Sequence, residues 1–189
     1  MLYCSVVLSF CLVCLLTNKQ LIHVNILMKQ RKPTRMKGHD YATAAMYFIT
    51  SSVKNNSCVF GNVSKGKMIL NVYGKVAEEQ WHWLDKHYTF LSIPAFVVMP
   101  NHVHAIIDIH GKFTQTAIRP LPQLISAYKS RVSSRIRKLG LDSFSWHRSY
   151  YDHIIRNEYS FMNILHYIHN NPGTWQKNSF FSKNNHSRK

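Results

Sequence analysis

The sequence predicts an α+β fold: an antiparallel sheet with helices packed against it. Three observations lead there. Runs rich in β-branched and aromatic residues recur at 45–53, 88–99, 102–109 and 150–155, the composition that suits pleated, half-buried strands. Between and after them lie segments whose apolar residues are three or four apart, the period of an amphipathic helix. The chain has 189 residues, 46% of them hydrophobic, which is enough for one domain with a real core.

The elements follow in order. Residues 45–53, AMYFITSSV, read as a strand and 54–57, KNNS, as a turn. Residues 58–60 and 67–72 read as short strands around the turn signal GNVSKGK. Residues 75–87 suit a helix anchored by Val76, Trp81 and Leu84. Residues 88–99 form a strand region interrupted by Pro94, and 102–109, HVHAIIDI, form another. Pro100-Asn101 between them suits a hairpin turn. After the loop GKFTQTAIRP comes a helix at 121–139, with Leu121, Ile125, Tyr128, Val132, Ile136 and Leu139 on one face. Gly140 is placed to end it. A loop with Trp146 leads to a strand at 150–155, YYDHII, and a last helix runs from Glu158 to Asn170, where Pro172 blocks continuation. Helices on one face of the sheet would complete an α+β sandwich.

Residues 2–16, LYCSVVLSFCLVCLL, carry no charge. The run is short for a membrane span, and it lacks the basic flank and cleavage site of a signal peptide. Met28 opens the basic, polar stretch MKQRKPTRMKGHDY. The expected organisation is therefore an extension at 1–27, one domain at 28–176 and a basic tail at 177–189.

Lys and Arg number 24 against 8 Asp and Glu, a net charge of +16. Residues 1–27 contribute only Lys19 to this excess, so the basicity belongs to the domain. Such an excess favours a polyanionic partner, nucleic acid first. Of the cysteines Cys4, Cys11, Cys14 and Cys58, three fall in the first fourteen residues. That spacing supports neither a zinc ribbon nor a disulfide framework.

Strand side chains alternate faces, so His102 and His104 point one way while Val103 points the other. Two adjacent imidazoles suit a divalent cation, although the spacing alone also fits two surface histidines. On the last helix, Phe161, Ile164, Leu165 and Ile168 form an apolar stripe with Tyr167 beside it. Asn171, four residues on, shares the flank of Tyr167 if the helix reaches it. A phenol and an amide could face one pocket; equally, Tyr167 could be a packing tyrosine and Asn171 a cap. Lys129, Arg131 and Arg135 on the long helix, with Arg148 and Arg156 around 150–155, interleave with Trp146, Tyr150 and Tyr151. Cations for phosphates and rings for bases are what single-stranded nucleic acid requires.

The segments MPNHVHAII, AYKSRVSSRI, WHRSYYDHIIRNE and HYIHNNPGTW, in this order, resemble the single-tyrosine HUH transposases, and among them the REP-associated tyrosine transposases. The resemblance spans about residues 28–176. It implies a ferredoxin-like HUH endonuclease fold, His102 and His104 as the paired metal ligands, Asn171 as the third, and Tyr167 as the nucleophile. It further implies Mg²⁺ or Mn²⁺ as cofactor, with no small-molecule cofactor. The implied substrate is hairpin-bearing single-stranded DNA, cleaved and rejoined through a 5′-phosphotyrosine. A monomer or homodimer is expected, cytoplasmic and nucleoid-associated, without a membrane partner. His147 departs from the motif, which has glutamine there. The alternative is a domesticated, non-catalytic hairpin-binding protein. Asp152 and Glu158 are weak candidates for a base, and Tyr128, Tyr150 and Tyr151 compete for the nucleophile's role.

Overall fold

The computed structural model describes Gly38, Asp40, Tyr41 and residues 43–110 and 119–177. The expectations for residues 1–27, and all but the first residue of the tail at 177–189, lie outside these. Strand β1 spans Ala45–Ser52 and a 3-10 turn spans Lys54–Asn56. Strands β2 (Gly61–Ser64) and β3 (Lys67–Leu70) form a separate hairpin. Helix α1 (Val72–His87), strands β4 (Leu91–Val98) and β5 (His102–Ile109), helix α2 (Leu121–Lys138), strand β6 (Tyr151–Ile155) and helix α3 (Glu158–Asn170) follow. A 3-10 segment, Pro172–Lys177, comes directly after α3.

The main sheet has the order β4-β5-β1-β6, with every neighbouring pair antiparallel. The two histidines therefore sit on a central strand. Pro94 lies on the edge strand β4, where a missing N–H is tolerated, and the pairing register with β5 shifts between Ser92 and Ala95.

Alternation along the strands builds two layers. Tyr47, Ile49, Val103, Ala105, Ile107 and Ile109 face α1 and α2, meeting Trp81, Leu84, Leu124, Tyr128 and Val132 in the large core. Trp81 and Tyr128 stack at its centre with ring centroids 3.8 Å apart. Met46, Phe48, Ala95, Val97, Ile106 and Ile155 face the other way, toward Phe161, Ile164, Leu165 and Ile168 of α3. The expectation of helices on one face is thus corrected. The apolar stripe of α3 is narrow and covers the face that the other helices leave open.

Two boundaries also move. The strand expected at 58–60 lies instead at 61–64, because the turn is only Lys65-Gly66. Both residues have positive φ, 49° and 73°, as a tight two-residue hairpin requires. Helix α1 begins one turn earlier than its apolar spacing suggests. Asn71 caps it, its side chain accepting from the N–H groups of Tyr73 and Gly74. Gly74 is needed there, since a Cβ would run into the Phe60 carbonyl.

Candidate active site

β5 carries His102 and His104 on the α3 side, and both are buried, at 0% and 2% exposure. They are not the surface pair that their spacing also allowed. Asn101 fixes the first ring. Its amide nitrogen donates to the Asn56 carbonyl at 3.0 Å, which turns its oxygen toward His102 Nδ1 at 2.7 Å. His102 therefore donates from Nδ1 and keeps a lone pair on Nε2. Thr50, directly opposite His104 across β1 and β5, meets His104 Nδ1 at 2.8 Å. Both Nε2 atoms then turn toward each other, 3.0 Å apart.

Burial holds both imidazoles neutral. It pushes His104 down from 6.5 to about 3, against an opposing hydrogen bond to the Ile49 backbone. It holds His102 well below the usual histidine range, and the His104 charge adds to this. Neutral imidazoles with aligned lone pairs are metal-ligand forms. A proton on one Nε2 makes their 3.0 Å contact a hydrogen bond; without it, both lone pairs are available to a cation. Among the described residues, no cluster of three His, Cys, Asp or Glu side chains that could hold a metal ion gathers.

α3 brings Tyr167 to this pair. Asn157 caps the helix by accepting from the Ser160 N–H, and the Ile168 side of the helix packs onto the sheet. Tyr167 lies alongside with its hydroxyl 3.3 Å from His104 Nε2. Its ring stands edge-on to Phe48 and His104. At 43% exposure the phenol is open to solvent while its oxygen touches the site. Asn171 is fully buried and keeps helical backbone angles, φ −56° and ψ −43°. It therefore stays one turn beyond Tyr167, on the same flank.

The competing residues lie elsewhere, Tyr150 packed against the large core on the opposite layer. Tyr128 is buried in the opposite layer and donates to the Ala77 carbonyl. Asp152 also faces that layer, opposite Ile49, and accepts from the Tyr41 hydroxyl at 2.8 Å. Glu158 starts α3, nine residues and about 13 Å from Tyr167 along the helix. Tyr151 lies on the α3 face but at the β6 edge of the sheet, opposite Thr50.

The expected DNA-contacting residues divide into two sets. Lys129 donates to the carbonyls of His147 and Ser149 at 3.0 and 3.2 Å, and burial lowers it from 10.5 to about 8. The Trp146 indole donates to the Lys129 carbonyl and packs against Phe60, Phe144 and Tyr128. Arg131 lies 3.5 Å over the Trp83 ring and donates to Gln80, while Arg135 pairs with Glu79 at 3.0 Å. These four are engaged within the helical layer, away from Tyr167. Arg148 and Arg156 are exposed on either side of β6.

Sequence reasoning missed Thr50, Asn101 and Trp175, whose ring lies 5.8 Å from that of His102. Asn101 precedes His102 directly and could have been suspected. The role of Thr50 depends on strand register, which the sequence does not display.

Residues 59–171 match the family described as Transposase IS200 like. The chain belongs to the IS200-like transposases. One relative is an uncharacterised protein of Haemophilus influenzae (strain ATCC 51907 / DSM 11121 / KW20 / Rd). It is 34% identical over 167 residues, covering 80% of this chain and 93% of that one. A second protein of the same strain, provisionally named a REP-associated tyrosine transposase, is 22% identical over 139 residues, covering 70% and 73%. Among solved structures, a REP-associated tyrosine transposase bound to a REP hairpin superposes with a TM-score of 0.54 at 16% identity, covering 77% and 74%. The fold of this IS200-like transposase is thus the HUH endonuclease fold, and within the family its likeness is to the REP-associated group. Among the described residues no helix is long and apolar enough to cross a membrane.

Proposed function

We propose that this IS200-like transposase cleaves and rejoins single-stranded DNA at hairpin-bearing ends. The observation that carries this reading is the Tyr167 hydroxyl resting against His104 beside a second oriented imidazole. The Tyr167 oxygen attacks the scissile phosphorus and forms a phosphotyrosine bond. The P–O3′ bond breaks, and the departing 3′ oxygen takes a proton. Attack by a 3′-hydroxyl in the reverse sense restores the diester and frees the tyrosine. The covalent link conserves the bond energy, so no nucleotide cofactor is needed.

In this reading His102, His104 and Asn171 would hold a divalent ion, Mg²⁺ or Mn²⁺; when bound it would supply positive charge to the phosphate. Asn101 and Thr50 hold the rings so that their Nε2 lone pairs are presented together. Without the ion, His104 Nε2 positions the phenol; with the ion on that lone pair, the phenol proton would leave to water. Arg148 and Arg156 flank the open edge of the sheet and would meet the DNA backbone. Tyr167 approaches the histidines of its own chain, which supports a monomer acting in cis. A cytoplasmic, nucleoid-associated site of action fits the charge.

The test is incubation with 5′-labelled hairpin oligonucleotides with Mg²⁺, Mn²⁺ or EDTA. A DNA–protein adduct that requires metal and disappears in Tyr167→Phe is expected. Hairpin binding without any adduct would leave a binding protein instead.

A further inference from the structure

The far side of the sheet brings a third histidine toward the site. Ahead of β6 the chain already runs beside β1, where Val53 and Trp146 form an isolated antiparallel bridge. Val53 is buried in the large core and Trp146 packs against it. Side chains alternate along extended backbone, so the next residue, His147, is presented on the opposite face, that of His102 and His104. The His147 N–H donates to the Ser52 carbonyl at 2.8 Å, and Ser52 lies directly opposite His102 on β5. His102, Ser52 and His147 thus stand in one row across three strands, about 10 Å from first to last by the strand spacing. The backbone under His147 is fixed, because Lys129 of α2 binds the His147 and Ser149 carbonyls at 3.0 and 3.2 Å. Ser149 Oγ meets His147 Nδ1 at 3.2 Å, which leaves Nε2 as the outward end of an exposed ring.

Tyr167 sets the direction of displacement. Its ring stands edge-on to Phe48 and its hydroxyl touches His104. Phe48, Thr50 and Ser52 follow one another along this face of β1, so the phenol comes in from the Phe48 end. In an in-line displacement the leaving oxygen departs on the side opposite the nucleophile, here toward Ser52 and His147. A 3′ alkoxide leaves poorly unless it gains a proton as its bond breaks. His153, on the same face, stands opposite Phe48 at the phenol's own end.

We infer that His147 is the acid–base group for the leaving oxygen. As the Tyr167 oxygen bonds to phosphorus and the P–O3′ bond breaks, the electron pair stays on O3′ and the proton of His147 Nε2 passes to it. On rejoining, neutral His147 takes the proton of the attacking 3′-hydroxyl. The inference rests on the function proposed above and adds a catalytic residue to it.

The bond cleaved by wild type is mapped on 5′-labelled hairpin oligonucleotides, and the same oligonucleotide is made with sulfur in place of the 3′ oxygen at that bond. A thiolate leaves without needing a proton. Single-turnover cleavage in Mn²⁺ is followed for wild type, His147→Ala and His147→Gln on both substrates. On the oxygen substrate each variant should be slower than wild type by about 10²- to 10⁴-fold. On the sulfur substrate each should match it, with hairpin binding unchanged. Variants as fast as wild type on oxygen would overturn the inference by leaving His147 idle. Equal slowing on both substrates would overturn it by making His147 a mere phosphate contact. Absence of any adduct from wild type at the mapping stage is a separate result, which would sink the nuclease reading and the inference with it.

Discussion

The Tyr167 hydroxyl and His104 Nε2 lie 3.3 Å apart, so the phenol occupies a lone pair that a cation would also use. Removing the hydroxyl removes a competitor. Tyr167→Phe should therefore form no DNA adduct yet bind Mn²⁺ about 2- to 10-fold more tightly, the worth of one net hydrogen bond. Calorimetric titration of both proteins checks this; equal or weaker affinity in the variant would contradict the shared lone pair.

The orienting residues should matter almost as much as the ligands. Thr50→Val and Asn101→Ala leave His102 and His104 in place but unfixed. Each should weaken metal affinity by about 10- to 100-fold, whereas His104→Ala should abolish the metal response. The comparison is metal-dependent thermal stabilisation across the three variants, with wild type as reference.

Acid should loosen the fold. The unfolded chain protonates these imidazoles near 6.5, while folded His104 resists until about 3. Between those values the unfolded state holds more protons, so stability is lost as pH falls from 6.5 toward 3 and is flat above 6.5. The loss is on the order of a few kcal/mol. Denaturant titrations of the metal-free protein at pH 7 and pH 5 measure it. His104→Phe should show a shallower decline.

Lys129 and Arg148 should behave as opposites. Lys129→Met strips the donor from the His147 and Ser149 carbonyls and should cost about 1–3 kcal/mol of stability. The salt dependence of DNA binding should barely change. Arg148→Ala should leave stability alone and lower the log–log salt slope by about 1.

Much of this molecule is legible in its amino acids, for identifiable reasons. Helix α3 was readable because a clean apolar stripe ends before Pro172, while the Asn157 cap that starts it emerges from the structure. β5 was readable because alternation separates His102 and His104 from Val103. The second layer was not, because periodicity shows that a helix has an apolar face without saying which sheet face it covers. The packing of Trp146 against Phe60 and the hydrogen bonds of Lys129 to His147 and Ser149 join residues far apart in sequence, so local pattern does not display them. The Tyr167 assignment came from motif order; the phenol–imidazole contact depends on residues 63 positions apart.

The two layers are unequal. Only Ile168 of α3 is fully enclosed, whereas α2 contributes six such side chains to the larger core. The proposed nucleophile thus rides on the element that is easiest to detach, while the histidines are bolted into the centre of the sheet. Amide protons along Glu158–Asn170 should exchange well before those of β5 and β1. A DNA end joined to Tyr167 would then be tethered to a swinging arm and not to the anvil on which it was cut.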